Sequence, residues 1–152
     1  GSGDCLSEKG FSYARIEISP GVWIDIYNLH VEAGGNVKDL EAREIGVKQF
    51  IEYVQTKSKG NAVIIGGDTN LHLDDPPDAL LLEEMTTKLE LQEACVSLSC
   101  PTDSIDRFYF RGNETTHLVA NSWRFADEFI TPEGSDLSDH KAIHVSFEWQ
   151  LK

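Results

Sequence analysis

The sequence is short of basic residues and cysteine, and has no long hydrophobic run. Thirteen lysines and arginines stand against 26 aspartates and glutamates, a formal net charge of −13. Proteins that hold a polyanion such as DNA present a basic face, so this balance favours a small-molecule or lipid substrate over nucleic acid. It does not exclude a nuclease, because bound cations would cancel several charges and clustered carboxylates are what a metal site needs. Nothing approaches the run of about 18 apolar residues that a membrane span requires, so no span is expected. Internal repeats and low-complexity segments are absent too. What remains is 152 residues, 40% of them hydrophobic, which suits one compact domain over residues 1–152. Gly1-Ser2-Gly3 reads as a tag remnant.

Cysteine is scarce and odd in number: Cys5, Cys95 and Cys100. Cys95 and Cys100 are close enough in sequence to close a small disulfide loop, which leaves Cys5 as a free thiol or the partner of a cysteine elsewhere. Asn113-Glu114-Thr115 matches the N-glycosylation pattern. Together they favour a secreted or periplasmic protein over a cytosolic one with three reduced thiols.

The hydrophobic pattern alternates between strand and helix periods. Residues 12–18 and 22–30 read as strands joined through Ser19-Pro20-Gly21-Val22, with Pro and Gly placed as a type II turn prefers. On the second strand Val22, Ile24 and Ile26 share a face that continues into Asn28 and His30. Leu40, Val47, Phe50, Ile51 and Val54 recur at helical spacing over 39–57, and Gly60-Asn61 stops the helix. Ala62-Val63-Ile64-Ile65 is apolar on both faces, as in a strand buried inside a sheet. A second helix is expected over 77–88, with Asp74, Asp75 and Asp78 as acids at its start. Strands follow near 105–110, 118–125 and 141–149. The pattern predicts an α/β or α+β layered domain.

Four polar clusters fall at strand ends. They are Asn28-Leu29-His30, Gly66-Gly67-Asp68-Thr69-Asn70, Ser104-Ile105-Asp106-Arg107 and Leu137-Ser138-Asp139-His140. Asp68 and Asn70 project the same way on an extended chain, and a carboxylate beside an amide can hold a cation, a water and a phosphate oxygen together. Asp106 shares a face with Phe108 and Phe110, and a carboxylate on an apolar face needs a partner. His140 and His144 have a zinc-like spacing but lie in strand context without the glutamate of a zincin. His72 and His117 read as loop histidines. Lys9, Arg107, Arg111 and Arg124 are candidates for phosphate contact, but nothing separates them from ordinary surface charges.

The order Asn-Leu-His, Gly-Asp-x-Asn, Ile-Asp-Arg, Ser-Asp-His resembles the endonuclease/exonuclease/phosphatase superfamily over about residues 9–149. That superfamily includes pancreatic-type deoxyribonucleases and bacterial neutral sphingomyelinases. The resemblance implies half or more of a four-layer α/β/β/α sandwich that hydrolyses phosphodiesters or phosphomonoesters with Mg²⁺, Mn²⁺ or Ca²⁺. It makes His140 the catalytic histidine and Asp106 its orienting carboxylate. Asp68 positions the attacking water, Asn70 holds a phosphate oxygen, Asp139 is a metal ligand (with Asp68 and Asn70 beside it), His30 lies near the scissile phosphate, and Asn28 contacts substrate. The family's first half, with an asparagine and a metal-binding glutamate, has no counterpart here. The chain is therefore expected to be incomplete without an N-terminal half, supplied as a second polypeptide, or to pair as a homodimer. The alternative is a non-catalytic interaction module that keeps the scaffold.

Overall fold

The computed structural model describes residues 9–100 and 104–152. Cys5 and Gly1-Ser2-Gly3 lie outside the described residues. In chain order the elements are β1 (Gly10–Ser19), β2 (Val22–His30), α1 (Val37–Lys57), β3 (Ala62–Asp68) and α2 (Pro76–Lys88). Then come β4 (Gln92–Glu93), α3 (Ala94–Ser97), β5 (Asp106–Arg111), β6 (Thr116–Phe125) and β7 (Ile143–Leu151).

β1 and β2 form the expected hairpin, and Gly21 takes φ of 78°, the positive value that position i+2 of a type II turn demands. α1 starts two residues before the apolar pattern does, because Asn36 caps it. The Asn36 carboxamide accepts from the Lys38 and Asp39 amides, and the Asp39 carboxylate accepts in return from the Asn36 amide, a reciprocal capping box. α2 opens on Pro76 and Pro77, where missing N–H groups cost nothing. β3 extends beyond its apolar run through Gly66-Gly67 to Asp68. A Cβ on Gly66 would meet the Phe108 ring and one on Gly67 the Leu29 carbonyl, so only glycine lets β3 lie this close to its neighbours. The short β4 and α3 were not legible from hydrophobic period. β4 is held by its pairing with β5, and a Cys95–Cys100 disulfide with a Cα–Cα distance of 5.1 Å closes a loop from α3 to Cys100.

The larger sheet has the order β1-β2-β3-β5-β4, with β2 and β3 parallel across the α1 crossover and every other pairing antiparallel. One of its faces (Tyr27, Leu29, Val63, Ile65, Tyr109) packs on Val47, Phe50, Ile51 and Val54 of α1 and on Leu82 and Met85 of α2. Its other face (Ile24, Ile26, Ile64, Phe108, Phe110) packs on Leu118, Ala120, Val145 and Phe147 of a second sheet, the β6-β7 pair. The layers are thus helix, sheet, sheet, an α+β arrangement. The second sheet does not reach β1, whose Ile16 stays 47% exposed on that inner face. No helix among the described residues is long and apolar enough to cross a membrane.

At the end of the sheet away from the polar strand ends, Asp25 is buried and fully engaged. Its carboxylate accepts from Tyr13 Oη, Arg15 Nε and Nη2, Ser58 Oγ and Asn61 Nδ2 at 2.6–3.0 Å. Burial alone would raise the acid's pKa, but these donors outweigh it and hold Asp25 below the usual carboxylate range.

Candidate active site

Two strand pairings bring three polar residues into line. His30, the last residue of β2, lies opposite Asp68 at the end of β3. Asp68 in turn lies opposite Asp106, the first residue of β5. Period-two alternation puts all three on the inner face, one step beyond the apolar residues that face β6 and β7. The strands' apolar stretches build the core, and their polar ends emerge together at its rim.

His140 reaches the same place from the segment between β6 and β7. Its Nδ1 lies 2.8 Å from Asp106 Oδ2 and 3.9 Å from Asp68 Oδ2. His30 Nε2 is 3.5 Å from that same Asp68 oxygen. The Asp106 hydrogen bond, aided by the fields of Asp106, Asp68 and Asp139, raises the His140 pKa above its ordinary value against a smaller opposing effect of burial. Asp106 therefore fixes the ring's orientation and favours its cationic form, leaving Nε2 as the second ring nitrogen.

Asp68 and Asn70 are locked to one another and to the sheet. The Asp68 carboxylate accepts from the Asn70 amide at 2.8 Å, and Asn70 sits at φ of 48°, a left-handed conformation that asparagine tolerates. Asn70 Nδ2 donates to the Val31 carbonyl at 2.9 Å. Between them Thr69 is buried, its amide and its hydroxyl both donating to the Ile105 carbonyl at 2.9 and 2.8 Å. That pair of hydrogen bonds ties the loop carrying Asp68 to the residue before Asp106.

A second brace was not legible. Arg43 falls on the buried stripe of α1 where Leu40 was expected, while Leu40 is 38% exposed. Asp78 lies in the first turn of α2, as expected, but its carboxylate does more than meet the helix end. It is buried against Arg43 at 3.0 Å and accepts the His72 amide. Arg43 also donates to the carbonyls of Glu32 and Gly34, so the pair fastens the loop after β2 to the loop after β3. Its signal in the sequence was an arginine at helical spacing before Val47. Arg107 and Arg111 are likewise not surface charges. Arg107 is buried and pairs with Glu93 at 3.1 Å, and Arg111 donates to the carbonyls of Ser58, Asn61 and Leu89.

His30, Asp68, Asn70, Asp139 and His140 line a common cleft of about 380 Å³, and Lys9 joins them. Asn28 instead lines an adjoining apolar cavity of about 520 Å³ with Gly66, Asp106, Phe108 and His140. The exposed His72 and His117 are not lining residues of the cleft. Asp68, Asp106 and His140 each offer a donor atom within 4.8 Å of the others. Nδ1 of His140 is already engaged by Asp106, so the carboxylate oxygens of this group are its better donors for a hard divalent ion; Asn70 and Asp139 line the same cleft but are not part of the group. Magnesium, manganese and calcium all prefer such carboxylate and amide oxygens.

No family model matches the sequence. It is 30% identical over 164 aligned residues to the sphingomyelinase of Mycobacterium tuberculosis (strain ATCC 25618 / H37Rv), an alignment that takes in 97% of this chain and 32% of that protein. The chain therefore spans about a third of the length of the curated relatives it matches, the Mycobacterium bovis sphingomyelinase among them. Among solved structures it resembles D. rerio TDP2 complexed with a single-strand DNA product, with a TM-score of 0.70, 18% identity, and 91% of this chain matched to 61% of that one. It also resembles Staphylococcus aureus beta toxin, with a TM-score of 0.60, 19% identity, and 94% of this chain matched to 59% of that one. A variant of that toxin holds bound magnesium ions (TM-score 0.50, 15% identity, 91% of this chain and 54% of that one).

Proposed function

Because this chain has the endonuclease/exonuclease/phosphatase fold and is homologous to sphingomyelinases over nearly its whole length, we propose that it forms the histidine-bearing part of a divalent-metal-dependent phosphodiester hydrolase. The observation that carries this reading is the His140–Asp106 pair at 2.8 Å, with Asp68 across the sheet and the Asn70 loop fixed beside it. A half-buried carboxylate on one imidazole nitrogen leaves the other to transfer or hold a proton, which is the logic of general acid–base catalysis.

In this reading the phosphate enters the cleft between His30 and His140. Asp68 orients the attacking water and accepts its proton, with its carboxylate already set by the Asn70 amide. Asn70 holds a non-bridging oxygen. His140, whose cationic form Asp106 favours, stabilises the charge that grows on the phosphoryl oxygens as the bond from phosphorus to the leaving oxygen breaks, and that oxygen departs protonated by solvent water. A divalent ion held by Asp68, Asn70 and Asp139 would supply Lewis-acid neutralisation of that charge, and magnesium is the candidate that the toxin variant supports. The favoured substrate is a phospholipid diester such as sphingomyelin, supported by the mycobacterial relative and by the formal charge of −13. A disulfide and a phospholipid substrate both favour a secreted or periplasmic protein. The remaining catalytic groups come from residues outside this chain, carried by the same protein, by a second polypeptide or by a second copy.

The test uses the natural protein that carries this chain, assayed with Mg²⁺ on sphingomyelin vesicles and on DNA. Substituting His140→Ala is expected to lower kcat by about a thousandfold. Lipid hydrolysis is expected to vary little with salt, whereas a nuclease would lose affinity steeply. An H140A protein with undiminished hydrolysis would remove His140 from the chemistry, and a wild-type protein without hydrolysis would favour the non-catalytic scaffold reading.

A further inference from the structure

The turn between β5 and β6 carries the sequence's only Asn-x-Ser/Thr tripeptide, Asn113-Glu114-Thr115. Glu114 and Thr115 are exposed. The Asn113 side-chain oxygen accepts from the amides of Thr115 and Thr116 at 3.0 and 2.7 Å and from the Thr115 hydroxyl at 3.2 Å. These donors lie within three residues of Asn113, so the arrangement can form before either sheet has folded. The carboxamide nitrogen, Nδ2, has no hydrogen-bond partner among the described residues. Asn113 and Glu114 also line an open groove of about 970 Å³ that shares no residue with the catalytic cleft. β5 separates the two, spanning about 17 Å from Asp106 to Arg111.

We propose that Asn113 is an N-glycosylation site, with room for the first sugars in that groove. The inference rests on the secreted reading of the chain and not on the hydrolase one. The co-reactant is an oligosaccharide carried on a lipid diphosphate. Nδ2 forms a bond to the anomeric carbon of the first sugar as the bond from that carbon to the diphosphate oxygen breaks. The lipid diphosphate leaves, and one Nδ2 proton passes to a base of the transferring enzyme. Three donors on the side-chain oxygen draw charge onto it and make the Nδ2 protons more acidic, which is the part the Thr115 hydroxyl plays in the pattern. A bulky, hydrophilic sugar needs a surface position. Here it displaces no contact of Nδ2 and stands clear of His140 and Asp106.

The experiment takes the natural protein from its source and maps its peptides by mass spectrometry, before and after enzymatic removal of N-linked sugar. The peptide holding Asn113 is expected to carry hexose and N-acetylhexosamine, and enzymatic release should convert the asparagine to aspartate. Asn113→Gln and Thr115→Ala, made in the same source, should both lose the whole glycan, although T115A keeps the acceptor nitrogen. Total cell extracts are read beside the secreted fraction, so a variant that folds poorly still reports. An unmodified Asn113 in the natural protein overturns the inference, as does an unchanged glycan on N113Q. If the unmodified protein lies outside the cytosol with Cys95 and Cys100 joined, the site alone has failed. If it is cytosolic with both thiols free, the secreted reading falls with it.

Discussion

At the scale of single residues, the candidate site depends on what Asp106 does to one imidazole. Because the folded-state pKa of His140 is raised, its ion pair contributes stability that is complete below the ordinary histidine value of about 6.5. That contribution is lost as pH rises through the folded value. Replacing Asp106 with Asn removes the largest cause. In the metal-free protein, NMR titration of His140 is expected to show a lower midpoint in D106N than in wild type. Denaturation of the two should differ more at pH 5 than at pH 9. An unshifted midpoint would mean that Asp106 does not set the ring's protonation. Asp106 was legible because a carboxylate between Ile105 and the apolar Phe108 demands a partner. Lys9 was not, since nothing in the residues around it distinguishes a cleft lysine from a solvated one.

At the scale of elements, the strands were read well and the braces were not. Alternation located β2 and β7 closely, because one face of each meets a core and period two records that. β3 was cut short at Ile65, since Gly66 and Gly67 carry no apolar side chain to mark a strand that needs their absence of Cβ. The Arg43–Asp78 pair joins residues 35 apart in sequence, and no local pattern encodes such a meeting. Both partners are buried, so removing either leaves an uncompensated charge. R43A and D78A are each expected to cost about 3 kcal/mol in chemical denaturation. The double variant should lose less than their sum by about 2 kcal/mol. Strict additivity would show that the loops after β2 and β3 are held independently.

At the scale of the whole molecule, the described layers are helix, sheet and sheet, and the inner face of β1 stays open beyond the reach of β6-β7. A chain matching about 60% of the solved structures it resembles carries the histidines and three aspartates of the candidate site, and the proposed hydrolase would draw its remaining groups from outside it. Hydrolysis of sphingomyelin or DNA by this isolated polypeptide with Mg²⁺ is therefore expected to be at background. Adding the remainder of the protein should restore it. Vigorous turnover by the isolated chain would show that its own residues suffice.

The β6-β7 pair has a kinetic consequence. Among the described residues neither strand has a second neighbour, and a two-stranded ribbon has little stability of its own. His140 is delivered from the ribbon's connecting segment, just before β7, whereas Asp106 belongs to the five-stranded sheet. The dyad thus spans the molecule's most and least insulated sheets and exists only while they are docked. On refolding it would be the last feature to assemble. On heating this chain, the ribbon's amides would exchange and the histidine swing away before the larger sheet melts.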